Sequence, residues 1–190
     1  MYKNFKNILK LNKPNKIIAN EKINNNKVEI AKKIIEELQS EIQDFTSNGS
    51  GPFIAAIYDD KNNLIIKIAN SVVNDNCSNN HAEMMAIEKA QEKFNTYDLS
   101  TYNLKIYVTA EPCMMCIGGI MWSGIKEVYY GVPSKTVEKI TGFDEGFKPN
   151  WLKEFKKRGI TVYGNILPEL GARELTKYVQ TGKNIYQPTR

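Results

Sequence analysis

The chain is poor in the residues that supply imidazole chemistry: among 190 residues there is one histidine, His81. That excludes every site needing two imidazoles, including two-histidine zinc triads and the HExxH zinc proteases. Cysteine is almost as scarce, at three residues. Three thiols are too few for a disulfide framework and point to a reducing compartment, where cysteine serves chemistry or metal. No apolar run reaches the roughly 18 residues needed to cross a bilayer, and the N-terminal MYKNFKNILKLNK lacks the apolar core of a signal peptide. The expectation is a soluble, cytoplasmic protein without a membrane partner.

What is present is ordinary globular material. Hydrophobic residues at 42% and charged residues at 25% exclude a disordered tail protein and a fibrous repeat, and the length suits one domain. The net charge of +5 is uneven: residues 1–33 carry nine lysines against Glu21 and Glu29, a balance of +7, which leaves −2 for residues 34–190. Residues 1–25 read as a basic Lys/Asn-rich extension, either a solvated arm, a nucleic-acid arm or a targeting segment. Residues 26–190 read as the folded domain. Its near-neutral charge weighs against a large RNA substrate, because a nucleic-acid funnel needs cations around the site as well as on a tail.

From Val28 to Phe45 apolar residues recur at helical spacing, and Asn26 with Glu29 reads as a capping box. Two β-rich runs, 53–58 and 64–68, flank a polar turn and read as a hairpin. A second helix opens at His81 and runs to Phe94. Residues 104–109 form a third strand, Pro112 suits the first turn of a third helix ending near Trp122, and residues 127–130 begin a fourth strand. The next β-rich run, 160–163, follows a connection long enough to hold a helix at 150–157, which makes the fifth strand parallel. A last helix spans about 167–180. The order predicts an α/β fold, a three-layer α/β/α sandwich around a five-stranded mixed sheet.

The informative residues are His81-Ala82-Glu83 and Glu111-Pro112-Cys113-Met114-Met115-Cys116. Cys113 and Cys116, three apart at a helix start, present both sulfurs on one face, where the helix dipole favours thiolates. With His81 they form a three-ligand zinc site, one ion per chain, and three protein ligands leave a position for water. Glu83 stands two residues from His81 to carry the proton of that water. A bare CxxC also serves redox pairs and zinc knuckles, but no second CxxC accompanies it. Cys77 is a spare residue in a loop, and Glu111 is either a charge at a helix start or a group supporting the metal ligands.

H-x-E with P-C-x-x-C is the signature of the zinc nucleobase deaminases, and from about Gly51 onward the sequence resembles the cytidine and deoxycytidylate deaminase superfamily. The resemblance implies hydrolytic deamination, with Glu83 as proton carrier. The parallel fifth strand is typical of its purine, tRNA-adenosine and deoxycytidylate branches. Gly51-Pro52-Phe53, Trp122 and Gly142-Phe143-Asp144-Glu145 resemble guanine deaminases in particular, which implies a small purine, guanine or guanosine first, as substrate. Asn70 matches an asparagine that contacts the base or sugar in both guanine and tRNA-adenosine deaminases. Asp144 or Glu145 is expected to read the purine edge, and Phe53 and Trp122 either sandwich the ring or belong to the core. Ser123-Gly124 and Glu145 depart from the guanine-deaminase pattern. The alternatives are a tRNA adenosine deaminase making inosine and a catalytically idle relative, against which intact Glu83 counts. A homodimer is implied by the same branch, with Tyr186 of the tail as a candidate to complete a neighbour's pocket.

Overall fold

A computed structural model describes residues 16–183 and 185–187. Helix α1 spans Asn25–Ser40 and buries Val28, Ala31, Ile34, Ile35 and Leu38, the stripe expected from its spacing. Its cap is Asn24, not Asn26: the Asn24 side chain accepts from Lys27 N at 3.1 Å, a contact worth about 1 kcal/mol. The helix stops at Glu41, and a short α2, Ile42–Ser47, follows where one continuous helix was expected.

The remaining elements in order are β2 (Ile54–Tyr58), β3 (Leu64–Ala69), α3 (Ala82–Phe94), β4 (Lys105–Ala110), α4 (Met114–Ser123), β5 (Glu127–Val132), α5 (Ser134–Thr141), α6 (Trp151–Lys157), β6 (Thr161–Gly164) and α7 (Pro168–Gln180), with β1 (Ile18–Ala19) ahead of α1. The sheet order is β1-β6-β5-β4-β2-β3. Strand β2 is antiparallel to β3 and β4, whereas β4, β5 and β6 run parallel. The hairpin and the parallel fifth strand of the sequence reading are therefore present.

The sheet has six strands rather than five. The extra one, β1, lies in the segment read as a basic extension and pairs antiparallel with β6, Ile18 opposite Gly164. Two residues are too few to show a period, so pattern alone does not reveal it. Asn20 continues the pairing with its side chain, accepting from Val162 N at 3.0 Å and donating to Ile160 O at 2.8 Å. Helix α5 was also unforeseen, folded into the connection before the expected helix at 150–157.

Alternating residues of the strands feed two cores, one on each sheet face. Ala55, Ile57, Ile106, Val108, Val128 and Val162 pack with α3, α4 and α6. Ile54, Ala56, Tyr107, Tyr129 and Tyr163 pack with α1, which gives the three layers. On this second face Tyr107, Tyr129 and Tyr163 sit in register across β4, β5 and β6. Their rings stack at 4.5 and 5.2 Å, each pair adding about 0.5–1.5 kcal/mol beyond its buried area. A smaller cluster of Ala110, Val132, Val137 and Leu175 fixes α5 and α7 at the carboxyl end of the parallel strands.

Candidate functional site

Two helix starts meet at the carboxyl end of β4. His81 is the N-cap residue of α3, and Cys113 is the N-cap residue of α4. Pro112 therefore precedes the helix rather than opening it. The helices approach closely because Gly119 faces Met84: a Cβ at Gly119 would stand 2.4 Å from the Met84 sulfur. Gly124 ends α4 in the left-handed region at φ +88, where a side chain would meet Ser100 N at 2.6 Å, so the backbone accounts for glycine in one of the positions that depart from the guanine-deaminase pattern.

His81 Nδ1, Cys113 Sγ and Cys116 Sγ form a triangle with every side 3.6 Å. A tetrahedral zinc with Zn–S near 2.3 Å and Zn–N near 2.0–2.1 Å sets its donors about 3.5–3.8 Å apart, so the three residues can hold a zinc ion. They are the one group of this kind among the described residues. The hydrogen bond from Cys116 and that from His81 hold the Cys113 thiol down at about 4 despite burial, making it a thiolate at neutral pH. Cys116, deeper in the protein, is pushed up by its bond to that thiolate and by burial. Burial works against a charged His81, but its contact with Cys113 and the nearby Glu83 outweigh it and raise its pKa.

Glu83 lies in the first turn of α3 and is buried, 8% exposed. Burial, followed by the negative charge of Cys113, pushes its carboxyl up to about 7. A carboxyl with that pKa can both take and return a proton at neutral pH, which suits a general acid–base group.

A cleft opens beside the triangle. Its walls include Phe53, Asn70, Glu83, Glu111, Cys113, Phe143, Glu145 and Tyr178, together with Ile185 and Tyr186 from the tail. Of the residues singled out in the sequence, Phe53, Asn70 and Glu145 thus meet His81, Glu83 and Cys113 at one place. Asn70 is seated against Gly51, where a Cβ would fall 2.7 Å from the Asn70 Oδ1, and its Oδ1 accepts from Val72 N at 3.3 Å.

Trp122 does not join them. It is 82% exposed and borders a separate surface groove with Met121, Lys126 and Arg158. The inward ridge of α4 is Cys116, Ile117 and Ile120, and Trp122 lies off it. Asp144 also stays outside the cleft lining, with its Oδ1 accepting from Gly146 N at 2.8 Å, so Glu145 is the acid of that pair that faces the cleft. Tyr186, a candidate for completing a neighbour's pocket, lines the cleft of its own chain.

The sequence reading did not foresee the network behind Glu145. Glu111 accepts from Ser134 N at 3.0 Å and from the Trp151 indole at 3.3 Å. It thereby serves the first turn of α5 and not the start of its own neighbour α4. Lys148 donates to Glu145 at 2.5 Å and to Ser134 Oγ, and stands 3.8 Å from Glu111. Burial raises the Glu145 carboxyl, with the Lys148 charge and hydrogen bond opposing it.

Comparison with known proteins agrees with this geometry. Residues 28–132 match the model of the cytidine and deoxycytidylate deaminase zinc-binding region. The chain is 39% identical over 92 residues to a tRNA-specific adenosine deaminase of Buchnera aphidicola, covering 48% of this chain and 59% of that protein. It is 36% identical over 97 residues to the guanine deaminase of Bacillus subtilis, covering 51% and 60%. These matches span about three fifths of each relative. The guanine deaminase structure from Nitrosomonas europaea superposes with a TM-score of 0.72 at 36% identity, covering 76% of this chain and 81% of that one. A structure solved in complex with 2,6-diaminopurine superposes with a TM-score of 0.77 at 34% identity, covering 83% and 85%. By the family match, the fold and the His81/Cys113/Cys116 donor set together, this chain belongs to the zinc-binding cytidine and deoxycytidylate deaminase family.

Proposed function

We propose that the protein is a hydrolytic deaminase of a small purine, guanine or guanosine first, converting the amino-bearing ring to its oxo form and releasing ammonia. The observation that carries this reading is the buried Glu145 carboxylate in the same cleft as Asn70, Phe53 and the proton carrier Glu83. An ionised carboxylate only accepts hydrogen bonds, so it suits the ring N–H and exocyclic amine on a guanine edge. The likeness to the Nitrosomonas guanine deaminase and to the 2,6-diaminopurine complex supports the same substrate class.

His81, Cys113 and Cys116 would hold the zinc, which when bound activates water for attack on the amine-bearing carbon. Glu83 would take one proton from the attacking water and deliver it to a ring nitrogen, then take the remaining hydroxyl proton as the carbonyl forms and pass it to the amine, which leaves as ammonia when the C–N bond breaks. Phe53 and Phe143 give the base apolar faces, and Asn70 offers an amide donor and acceptor. Tyr178 and the tail residues Ile185 and Tyr186 border the cleft and limit water access.

A tRNA adenosine deaminase is the second reading, favoured by the Buchnera relative. Against it, residues 34–190 carry a net charge of −2, which leaves the folded domain no excess of cations to hold a phosphate backbone. The cations Lys157 and Arg158 are paired with Glu154. We also propose a homodimer built on the outer ridge of α4, where Met114 and Trp122 are exposed and Gly118 faces open space. Reduced thiols at the donor triangle support a cytoplasmic location.

The test is ammonia release by the zinc-loaded protein across guanine, guanosine, adenine, adenosine, cytosine, cytidine, deoxycytidylate and an anticodon stem-loop. Turnover of guanine or guanosine is expected. Turnover of the stem-loop alone would replace this reading with the second.

A further inference from the structure

We infer that Lys148 is a positioning residue that fastens the 142–150 connection over the cleft and aims the Glu145 carboxylate into it. Three side chains meet at its one ammonium, Glu111 from the end of β4, Ser134 from the start of α5 and Glu145 from the connection itself, and Glu111 in turn accepts from Ser134 N and from the Trp151 indole at the start of α6.

The setting separates this pair from an ordinary surface ion pair. Lys157 and Glu154 share the same three-residue spacing, but their side chains are 58% and 40% exposed, and such pairs contribute little. Lys148 and Glu145 are only 14% and 6% exposed. Removing one member of a buried pair strands the other charge without solvent, which is far more disruptive than losing a solvated contact.

The connection also depends on side chains for its shape. Phe143 N donates to Thr141 Oγ1, Glu145 N to Glu138 Oε1 and Gly146 N to Asp144 Oδ1. Gly146 has φ +73 and open space around its missing Cβ, and Phe147 is 79% exposed. Within this stretch Phe143, Glu145 and Lys148 turn inward while their neighbours face solvent. Lys148 is thus the ionic anchor of a segment without regular secondary structure. A lysine has three donors and no acceptor: here two go to Glu145 and Ser134, and the third side faces Glu111. With its Oε2 held by Lys148, the Glu145 carboxylate has a fixed direction. The substrate it meets there rests on the purine reading above; the fastening of the connection does not.

The experiment compares wild type, Lys148→Met, Glu145→Gln and the double variant, all zinc-loaded. Hydrogen exchange of peptides covering 142–150 needs no substrate and reads the fastening alone. Exchange there is expected to accelerate about tenfold in Lys148→Met, with β4, β5 and the zinc content unchanged. Guanine turnover should show a raised KM with a smaller fall in kcat, and Lys148→Met should add less than about twofold to the loss already caused by Glu145→Gln. Lys148→Gln, which keeps a donor without the charge, gives the same reading if the methionine variant does not fold. Unchanged exchange at 142–150 overturns the inference, as do losses from the two single variants that multiply in full. Absence of wild-type turnover on guanine and guanosine would overturn the purine reading, and the exchange result would still decide the role of Lys148.

Discussion

His81 and Cys113 occupy equivalent places in two successive helices, each at an N-cap, with Nδ1 and Sγ 3.6 Å apart. The fold thus brings two helix N-termini to one point and aims their dipoles at the same thiolates. Cys116, one turn into α4, completes the triangle, and Glu83, in the first turn of α3, stands beside it.

Glu83→Gln should lower turnover by about 100- to 10,000-fold while leaving zinc stoichiometry intact. Steady-state kinetics with metal analysis checks this. Full turnover in the variant would remove Glu83 from the mechanism.

The same residue predicts a pH dependence of stability in the metal-free protein. Its folded pKa of about 7 lies above the ordinary value, so folding binds an extra proton. The associated stability is present below about pH 4.5 and is lost as pH rises through 7, up to about 3 kcal/mol. Glu83→Gln removes this loss, so at pH 8 the metal-free variant should melt above the wild type. Thermal melts in chelator at pH 5 and 8 test the sign.

Zinc loading should release protons. Cys113 is already ionised at neutral pH, whereas Cys116 keeps its proton and the His81 pKa is raised. Metal therefore competes with protons, and apparent affinity should fall as the pH drops from about 8 to 6. Competition against a chelating dye measures this, and a pH-independent affinity would speak against thiolate ligation.

Gly119→Val should collide with the Met84 sulfur, which must swing aside or push α4 away. Overpacking of this kind costs about 1–3 kcal/mol, and here it should also weaken zinc binding by opening the donor triangle. Wild-type zinc affinity in a folded Gly119→Val protein would show that the triangle does not depend on the helix approach.

Trp122→Asp should convert a dimer to a monomer and cost only the concentration-dependent part of the melting temperature that association supplies, because Trp122 is 82% exposed in the protomer and leaves no cavity. Sedimentation of both proteins decides it, and a monomeric wild type would exclude the α4 ridge as an interface.

The metal site was legible because its ligands sit at fixed offsets from helix starts, and His81, Cys113 and Cys116 can satisfy those offsets in only one way. The hairpin and parallel strands were legible because their runs alternate and their connections have telling lengths. Strand β1 escaped because Ile18 and Ala19 are too short to carry a period. Trp122 was linked to the pocket, or else to the core, through the resemblance to guanine deaminases, and it lies in neither, at 82% exposed. The helical wheel separates it from Cys116, since Met114, Gly118 and Trp122 share the ridge opposite Cys116 and Ile120. Lys148 gave no signal in a polar, aperiodic segment, and Tyr186 stood out only through the family resemblance, since the places of both arise from tertiary contacts alone.

The most direct test of the account is ammonia release from guanine by equal amounts of folded wild type, with zinc removed and restored, and of zinc-loaded Glu83→Gln. Release should vanish on stripping, return with zinc, and be lost in the variant. Release that persists without zinc, or that survives Glu83→Gln, would contradict the account.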